Sequence, residues 1–150
     1  MFQRILVPVD GSDTSNKALV TALELARESG GRVRILHAFD EMAHLSGFEH
    51  GVEVLAQAHL CAQKILDEAL AIARASGVVA DSRLVDFPGR RLGEVVADEA
   101  RDHAADLVVV GTHGRRGVSR VLMGSDAEQV IRMAPVPVLV VRAAAHAPAP

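Results

Sequence analysis

The residues of this chain best suited to chemistry are the glycines and hydroxyls spread over residues 111–125. Gly111-Thr112-His113-Gly114 follows the apolar run 107–110, and Gly124-Ser125 opens a helical pattern. N–H groups at a helix N-terminus have no partner within the helix, and the helix dipole favours an anion there. Glycine lets the main chain approach such an anion closely. The spacing predicts a phosphate loop in which Gly124 and Ser125 supply N–H groups and a hydroxyl.

A second polar loop, residues 10–13, follows the apolar run at residues 4–9. Asp10, which only accepts hydrogen bonds when ionised, suits the hydroxyls of a ribose. A cap of the following helix is the structural alternative for Asp10, and the two roles are compatible. Ser12 or Asp13 also suits that cap.

Three arginines, Arg115, Arg116 and Arg120, make residues 111–125 basic, because this stretch contains no acidic residue. Guanidinium groups pair well with phosphate, so a nucleotide with several phosphates is favoured over a neutral ligand. A solvated basic loop is the alternative for these arginines. For His113 a hydrogen bond that orders the loop is favoured over phosphate contact or proton donation.

Apolar runs and helical periodicity alternate along the chain, which predicts βαβ units, right-handed crossovers and a single open parallel five-stranded sheet of the α/β class. The patterns predict strands at 4–9, 32–38, 78–86, 105–110 and 138–141, and helices at about 13–29, 52–76, 92–104 and 125–133. Residues 1–142 form one predicted domain, and the Ala- and Pro-rich residues 143–150 a loose tail. Ligands of such sheets bind beyond the carboxyl ends of the strands, so the two polar loops flank one crevice if their strands are neighbours.

Composition excludes several classes of protein. The net charge of −3, with four Phe and no Trp or Tyr, argues against nucleic-acid binding. No apolar run approaches ~20 residues, so we expect no membrane span, and no signal peptide is evident. The single cysteine, Cys61, is interpreted as a small buried hydrophobe, and cytoplasmic location is expected. The histidines lack ligand spacing, so no metal site is predicted.

The pattern Gly-x2-Gly-x9-Gly-Ser, formed by Gly111, Gly114, Gly124 and Ser125, resembles the nucleotide motif of the universal stress protein family. Residues 5–12 (Ile-Leu-Val-Pro-Val-Asp-Gly-Ser) are similar to that family's first strand. Residues 107–114 (Leu-Val-Val-Val-Gly-Thr-His-Gly) and 135–142 (Pro-Val-Pro-Val-Leu-Val-Val-Arg) resemble its fourth and fifth strands. The resemblance covers residues 2 to about 142.

This resemblance implies a Rossmann-like fold of the adenine nucleotide alpha hydrolase-like type, with helices on both faces of the sheet and strand order 3-2-1-4-5. It implies ATP binding, with Mg²⁺ carried on the phosphates. In such a site the aspartate after the first strand holds the nucleoside, and His37-Ala38 line the base pocket. It also implies a homodimer through the fifth strand, with Val136, Val138 and Val140 contributing. The Asp126 carboxylate is expected to point away from phosphate and to complement the helix dipole. The candidate nucleotide site comprises Pro8, Val9, Asp10, Ser12, His37, Ala38, Val110, Gly111, His113, Gly114, Arg115, Arg116, Gly124, Ser125 and Asp126.

The function favoured by the sequence is an ATP-binding, dimeric regulatory module of the stress response. A slow ATPase or phosphotransferase is one alternative, although the chain has no Gly-x4-Gly-Lys-Ser/Thr loop and no evident general base. A nucleotide-free dimeric scaffold is the other. No catalytic residue is assigned.

Overall fold

A parallel β-sheet forms the centre of the fold in the computed structural model, which describes residues 1–41, 51–112 and 123–142. Within those ranges strands and helices alternate, as predicted. The elements are β1 Arg4–Pro8, α1 Asp13–Ser29, β2 Arg32–Phe39, α2 Gly51–Ser76, β3 Ala80–Asp86, α3 Leu92–Asp102, β4 Leu107–Gly111, α4 Ser125–Met133 and β5 Val138–Val141. The predicted tail, residues 143–150, lies outside the described residues.

The strand order is β3-β2-β1-β4-β5, with all neighbours parallel, which confirms the expected topology. Ile5 of β1 pairs with Val33 on one side and Leu107 on the other. The chain therefore leaves β1 towards β2 and returns on its other side at β4. The strand order reverses between β1 and β4, and ligands of open α/β sheets bind at such a point.

Helices cover both faces of the sheet, as expected. On one face Ile5 and Val7 pack with residues of α1 and α2, such as Leu19 and Leu66. On the other face Leu6 and Val108 pack with residues of α3 and α4, such as Val96 and Val130. Because β1 and β4 are buried on both sides, their sequences are continuous apolar runs. No helix of the described ranges has both the length and the apolarity needed to cross a bilayer.

Two helix ends show how local chemistry sets the elements. Ser12 caps α1, since its side chain accepts a hydrogen bond from the Ser15 N–H at 3.2 Å. Helix α3 ends at Asp102, two residues before its predicted end, because Ala104 takes a left-handed conformation with φ 52°. Glycine usually occupies such positions, so the sequence carried no signal for this stop.

A charged cluster fastens α3 to β2 and β3. The Glu99 carboxylate, only 2% exposed, lies 2.9 Å from Arg34 Nη1 and 3.4 Å from Arg83 Nε. Arg34 also makes a bidentate pair with Asp81 at 2.8 and 2.9 Å. The hydrogen bond from Arg34 holds the pKa of the Asp81 carboxyl below its usual value, and the same bond raises the pKa of Arg34.

His103, at the C-terminal end of α3, is buried beside this cluster. Its Nε2 atom has no hydrogen-bond partner among the described residues. Burial lowers the pKa of the His103 imidazole below 6.5, and the positive charge of Arg34 adds to that effect. Burial therefore favours the neutral form of the ring over the charged form.

Candidate functional site

The carboxyl ends of β1 and β2 are tied together at the predicted crevice. The Val9 N–H donates to the Leu36 carbonyl at 2.8 Å, and His37 Nδ1 lies 2.7 Å from the Val9 carbonyl oxygen. Because a carbonyl only accepts, Nδ1 carries the hydrogen in this contact. His37 is thereby fixed at the edge of the crevice, next to Ala38.

Asp10 shapes the turn that leads from β1 into α1. Its Oδ1 atom accepts from the Ser12 N–H at 2.9 Å, and its own N–H donates to Ser15 Oγ at 3.3 Å. Gly11 takes φ 82°, a left-handed conformation that favours glycine. The helix cap suggested as the structural alternative for Asp10 is wrong, because Ser12 caps α1 and Asp10 orders the turn before it. The ribose role of Asp10 stays a prediction.

Gly111, the last residue of β4, lies directly against the first turn of α1. A Cβ atom at this position would lie 2.7 Å from Thr14 Cγ2 and 3.0 Å from the Thr14 carbonyl carbon and oxygen. The close approach places the start of α1, which follows the loop after β1, directly against the end of β4. It also gives Gly111 a reason to be glycine that is independent of any ligand.

Helix α4 begins beside the end of β4. The Gly124 N–H donates to the Thr112 carbonyl at 2.8 Å, so this amide is not available to a phosphate, contrary to the prediction. The first helical bond runs from the Glu128 N–H to the Gly124 carbonyl at 3.1 Å. The N–H groups of residues 125–127 precede that bond and open the positive end of the helix. Gly124 has no side chain to cap this end.

The candidate residues that the structure describes lie at the carboxyl edge of β1, β2 and β4 or at the start of α4. The Val110 side chain belongs to the core on the α3 and α4 face, so its main chain is the part that can serve a ligand. Ser125 and Asp126 are exposed, and the position of Asp126 in the first turn complements the helix dipole. His113, Gly114, Arg115, Arg116 and Arg120 lie outside the described residues.

An open pocket of about 610 Å³ adjoins this edge, between the end of β2 and α2. His37 and Ala38 contribute to its lining, together with Cys61 of α2. Cys61 is exposed, so the interpretation as a buried hydrophobe was wrong. The sequence did not predict that α2 lines a pocket, because the apolar stripe of α2 is also typical of a helix that faces the core. Among the described residues, no group of three His, Cys, Asp or Glu side chains is arranged to hold a metal ion.

The sheet order defines a doubly wound α/β domain whose strand order reverses between β1 and β4, the point at which ligands of such sheets bind. The model of the universal stress protein family matches residues 1–142. The chain belongs to this family.

Curated relatives and solved structures agree with that assignment. A universal stress protein of Thermus aquaticus is 34% identical over 142 residues, covering 95% of this chain and all of the relative. The structure of hypothetical protein MJ0577 superposes with a TM-score of 0.81 at 26% identity, covering 95% of this chain and 97% of the other.

Similar structures include proteins in complex with nucleotides. An Archaeoglobus fulgidus universal stress protein in complex with dAMP has a TM-score of 0.70 at 26% identity, covering 93% of this chain and 97% of the other. A universal stress protein in complex with cAMP has a TM-score of 0.71 at 27% identity, covering 94% and 97%. Adenine nucleotides are therefore bound by proteins with this fold and a related sequence.

Proposed function

We propose that this chain is an adenine nucleotide-binding regulatory module that binds ATP in the crevice between β1 and β4 and acts as a homodimer in the cytoplasmic stress response. The observation that carries the proposal is that the ends of β1, β2 and β4 and the start of α4 meet at one edge of the sheet. His37 contacts Val9, Gly111 lies against Thr14, and the Gly124 N–H donates to the Thr112 carbonyl. The dAMP and cAMP complexes of related proteins support an adenine nucleotide as the ligand.

Each part of the nucleotide has a chemically suitable neighbour along this edge. The base lies beside His37 and Ala38, and the ribose hydroxyls donate to the Asp10 carboxylate. The phosphates lie at the start of α4, where the amides of residues 125–127 and the Ser125 hydroxyl donate to them. Mg²⁺, when bound, enters on the phosphates and neutralises part of their charge.

The dimer contact in this proposal is the outer edge of β5, the last strand of the sheet in the described part of the chain. This strand ends the sheet, and its Leu139 side chain is 38% exposed. The predicted contributors Val136, Val138 and Val140 are half-buried and pack on the core beneath α3 and α4. A second copy would cover Leu139 and pair the open edge. Sedimentation equilibrium is expected to give the mass of a dimer, and a monomeric mass at micromolar concentration would contradict this part.

The nucleotide proposal is tested with freshly purified protein. We expect mass spectrometry of released ligand to find an adenine nucleotide, and ATP at a hundredfold excess over Kd to stabilise the fold by about 2.7 kcal/mol. Asp10→Asn keeps an acceptor for the Ser12 N–H but removes the charged acceptor for ribose. It should weaken ATP binding by about 10- to 100-fold, the effect of losing a hydrogen bond of about 1.5–3 kcal/mol to a charged group.

Asp13→Asn is the matched control, because Asp13 is an exposed acid in the first turn of α1. It should leave ATP affinity unchanged, and both variants should melt like the wild type without nucleotide. Equal weakening by the two variants would contradict the role of Asp10. If no nucleotide is bound and millimolar ATP does not stabilise the protein, the nucleotide proposal is wrong and the nucleotide-free scaffold is favoured. A turnover assay on the same protein tests for slow hydrolysis.

A further inference from the structure

We propose that Gly93 of α3 and Gln129 of α4 are positioning residues for the phosphates of the nucleotide, because their contact sets where the start of α4 lies. Neither residue belongs to the proposed nucleotide site, and both act through the N–H groups of residues 125–127. The inference rests on the proposed function, since it concerns the phosphate end of the same site.

At Gly93 the two helices meet without a side chain of α3 between them. A Cβ atom at this position would lie 2.8 Å from the main-chain carbonyl carbon, the carbonyl oxygen and the Cβ of Gln129. The Gly93 N–H donates to Gln129 Oε1, which lies 3.4 Å from the nitrogen. The absence of a side chain at Gly93 therefore allows the main chain of α4 to approach α3 closely.

The residue types at the start of α3 explain why this N–H group donates to α4. The first N–H groups of a helix have no acceptor within the helix, and a side-chain oxygen at the N-cap usually serves one of them. The N-cap of α3 is Arg91, whose guanidinium has donors only. Gln129 supplies an acceptor from the neighbouring helix, so the start of α3 and the middle of α4 are joined.

Helix α4 is the partner that gives way when this contact is altered. Helix α3 buries six of its residues, and its Glu99 is paired with two arginines of the sheet. Helix α4 buries only two, Ala127 and Val130. Since α3 is held by more buried side chains and by ion pairs, a change at Gly93 displaces α4.

Gly93→Ala would tilt α4 about its first end. Moving the new methyl group to about 3.5 Å from Gln129 shifts that residue by about 0.7 Å. The bond from the Gly124 N–H to the Thr112 carbonyl holds α4 at a point about 7.5 Å away along the helix axis. The amides of residues 125–127 would then move by roughly 0.1–0.4 Å and change direction. Hydrogen bonds to phosphate depend on both distance and angle, so phosphate binding weakens.

Calorimetric titration of the full chain with ATP and with adenosine separates positioning from general destabilisation. Gly93→Ala should raise the Kd for ATP by about three- to tenfold and that for adenosine by less than about twofold, because only ATP uses the helix N-terminus. Ile5→Val is the control for stability, because it loosens the core on the other face of the sheet. It should leave both Kd values unchanged.

A second variant tests the contact without adding volume at Gly93. Gln129→Met keeps a long side chain but removes the acceptor, so it should also weaken ATP more than adenosine. Ile131→Met, at an exposed position of the same helix, should bind both compounds like the wild type. Equal weakening of ATP and adenosine, or wild-type ATP affinity in both folded variants of the contact, would overturn the proposal.

The position of α4 can also be measured without nucleotide. In heteronuclear NMR spectra, Gly93→Ala and Gln129→Met should shift the amide signals of residues 125–127, whereas Ile5→Val should not. Unshifted signals in both variants would refute the inference. If the wild-type chain does not bind ATP, the proposed function fails, while the amide signals still decide whether the contact positions the start of α4.

Discussion

Replacing Gly111 by alanine puts a methyl group where α1 meets the end of β4. The new Cβ would lie 2.7 Å from Thr14 Cγ2 and 3.0 Å from the Thr14 carbonyl group, whereas carbon atoms in optimal contact are about 3.5–4.0 Å apart. Overpacking of this kind costs about 1–3 kcal/mol, and stiffening of the unfolded chain offsets about 0.4–1 kcal/mol. The free energy of unfolding should therefore fall by about 1–2 kcal/mol.

Urea and thermal denaturation without nucleotide measure this loss. For a chain of 150 residues, the expected change in Tm is a decrease of about 2–8 °C. Thr14→Ser removes Cγ2 but leaves the carbonyl group in place, so in the Gly111→Ala background it should recover about half of the loss. The double-mutant cycle separates this coupling from the cost of Thr14→Ser alone.

A Gly111→Ala variant with wild-type stability and impaired nucleotide binding would refute the packing argument. That result would mean that the glycine serves the approach of a ligand and that α1 does not press on β4. Strictly additive effects of Thr14→Ser and Gly111→Ala would also refute the contact, because residues that touch are expected to be coupled.

The charged cluster gives two further predictions. Glu99→Ala should lower the free energy of unfolding by about 3 kcal/mol, because it leaves Arg34 partly buried with one partner fewer. Asp81→Ala, at a carboxylate that is 55% exposed, should lower it by only about 0–1 kcal/mol. Similar losses for the two variants in urea titrations would contradict the cluster. Since the pKa of folded His103 lies below the value of 6.5 that it has when unfolded, its neutral form stabilises the fold above pH 6.5, and this contribution is lost as the pH falls below 6.5. His103→Leu should make the free energy of unfolding less dependent on pH below 6.5, and an unchanged slope would show that the ring is not held neutral.

The sequence predicted every strand and helix of the described fold, with ends that differ by at most two residues. Strands that are buried on both faces consist of uninterrupted apolar runs, such as residues 107–110. Such a run can be recognised from neighbouring residues alone, so the strands were predictable. The end of α3 was missed because Ala104 adopts a left-handed conformation without the usual glycine. The strand order followed from the family resemblance, since the pairing of distant strands is set by tertiary packing that no local pattern reports.

The loops of the site were predictable, but their contacts were not. Asp10 and Gly111 have residue types and positions that suggested ligand binding, whereas the contact between Gly111 and Thr14 joins distant parts of the chain. The exposed Cys61 and the pocket behind it escaped prediction for a related reason. Helical periodicity marks an apolar face but does not show where a neighbouring element leaves that face uncovered.

The bond between the Gly124 N–H and the Thr112 carbonyl changes the picture of the phosphate site. By occupying the amide that the glycine motif suggested for phosphate, it fixes the start of α4 to the end of β4. Among the described residues, the amides of residues 125–127 open the positive end of α4 next to the end of β4. Along this edge, β2, β1 and β4 follow one another at about 4.8 Å per strand. In the proposed complex that order would match base, ribose and phosphate, and the strand order itself would then orient the nucleotide.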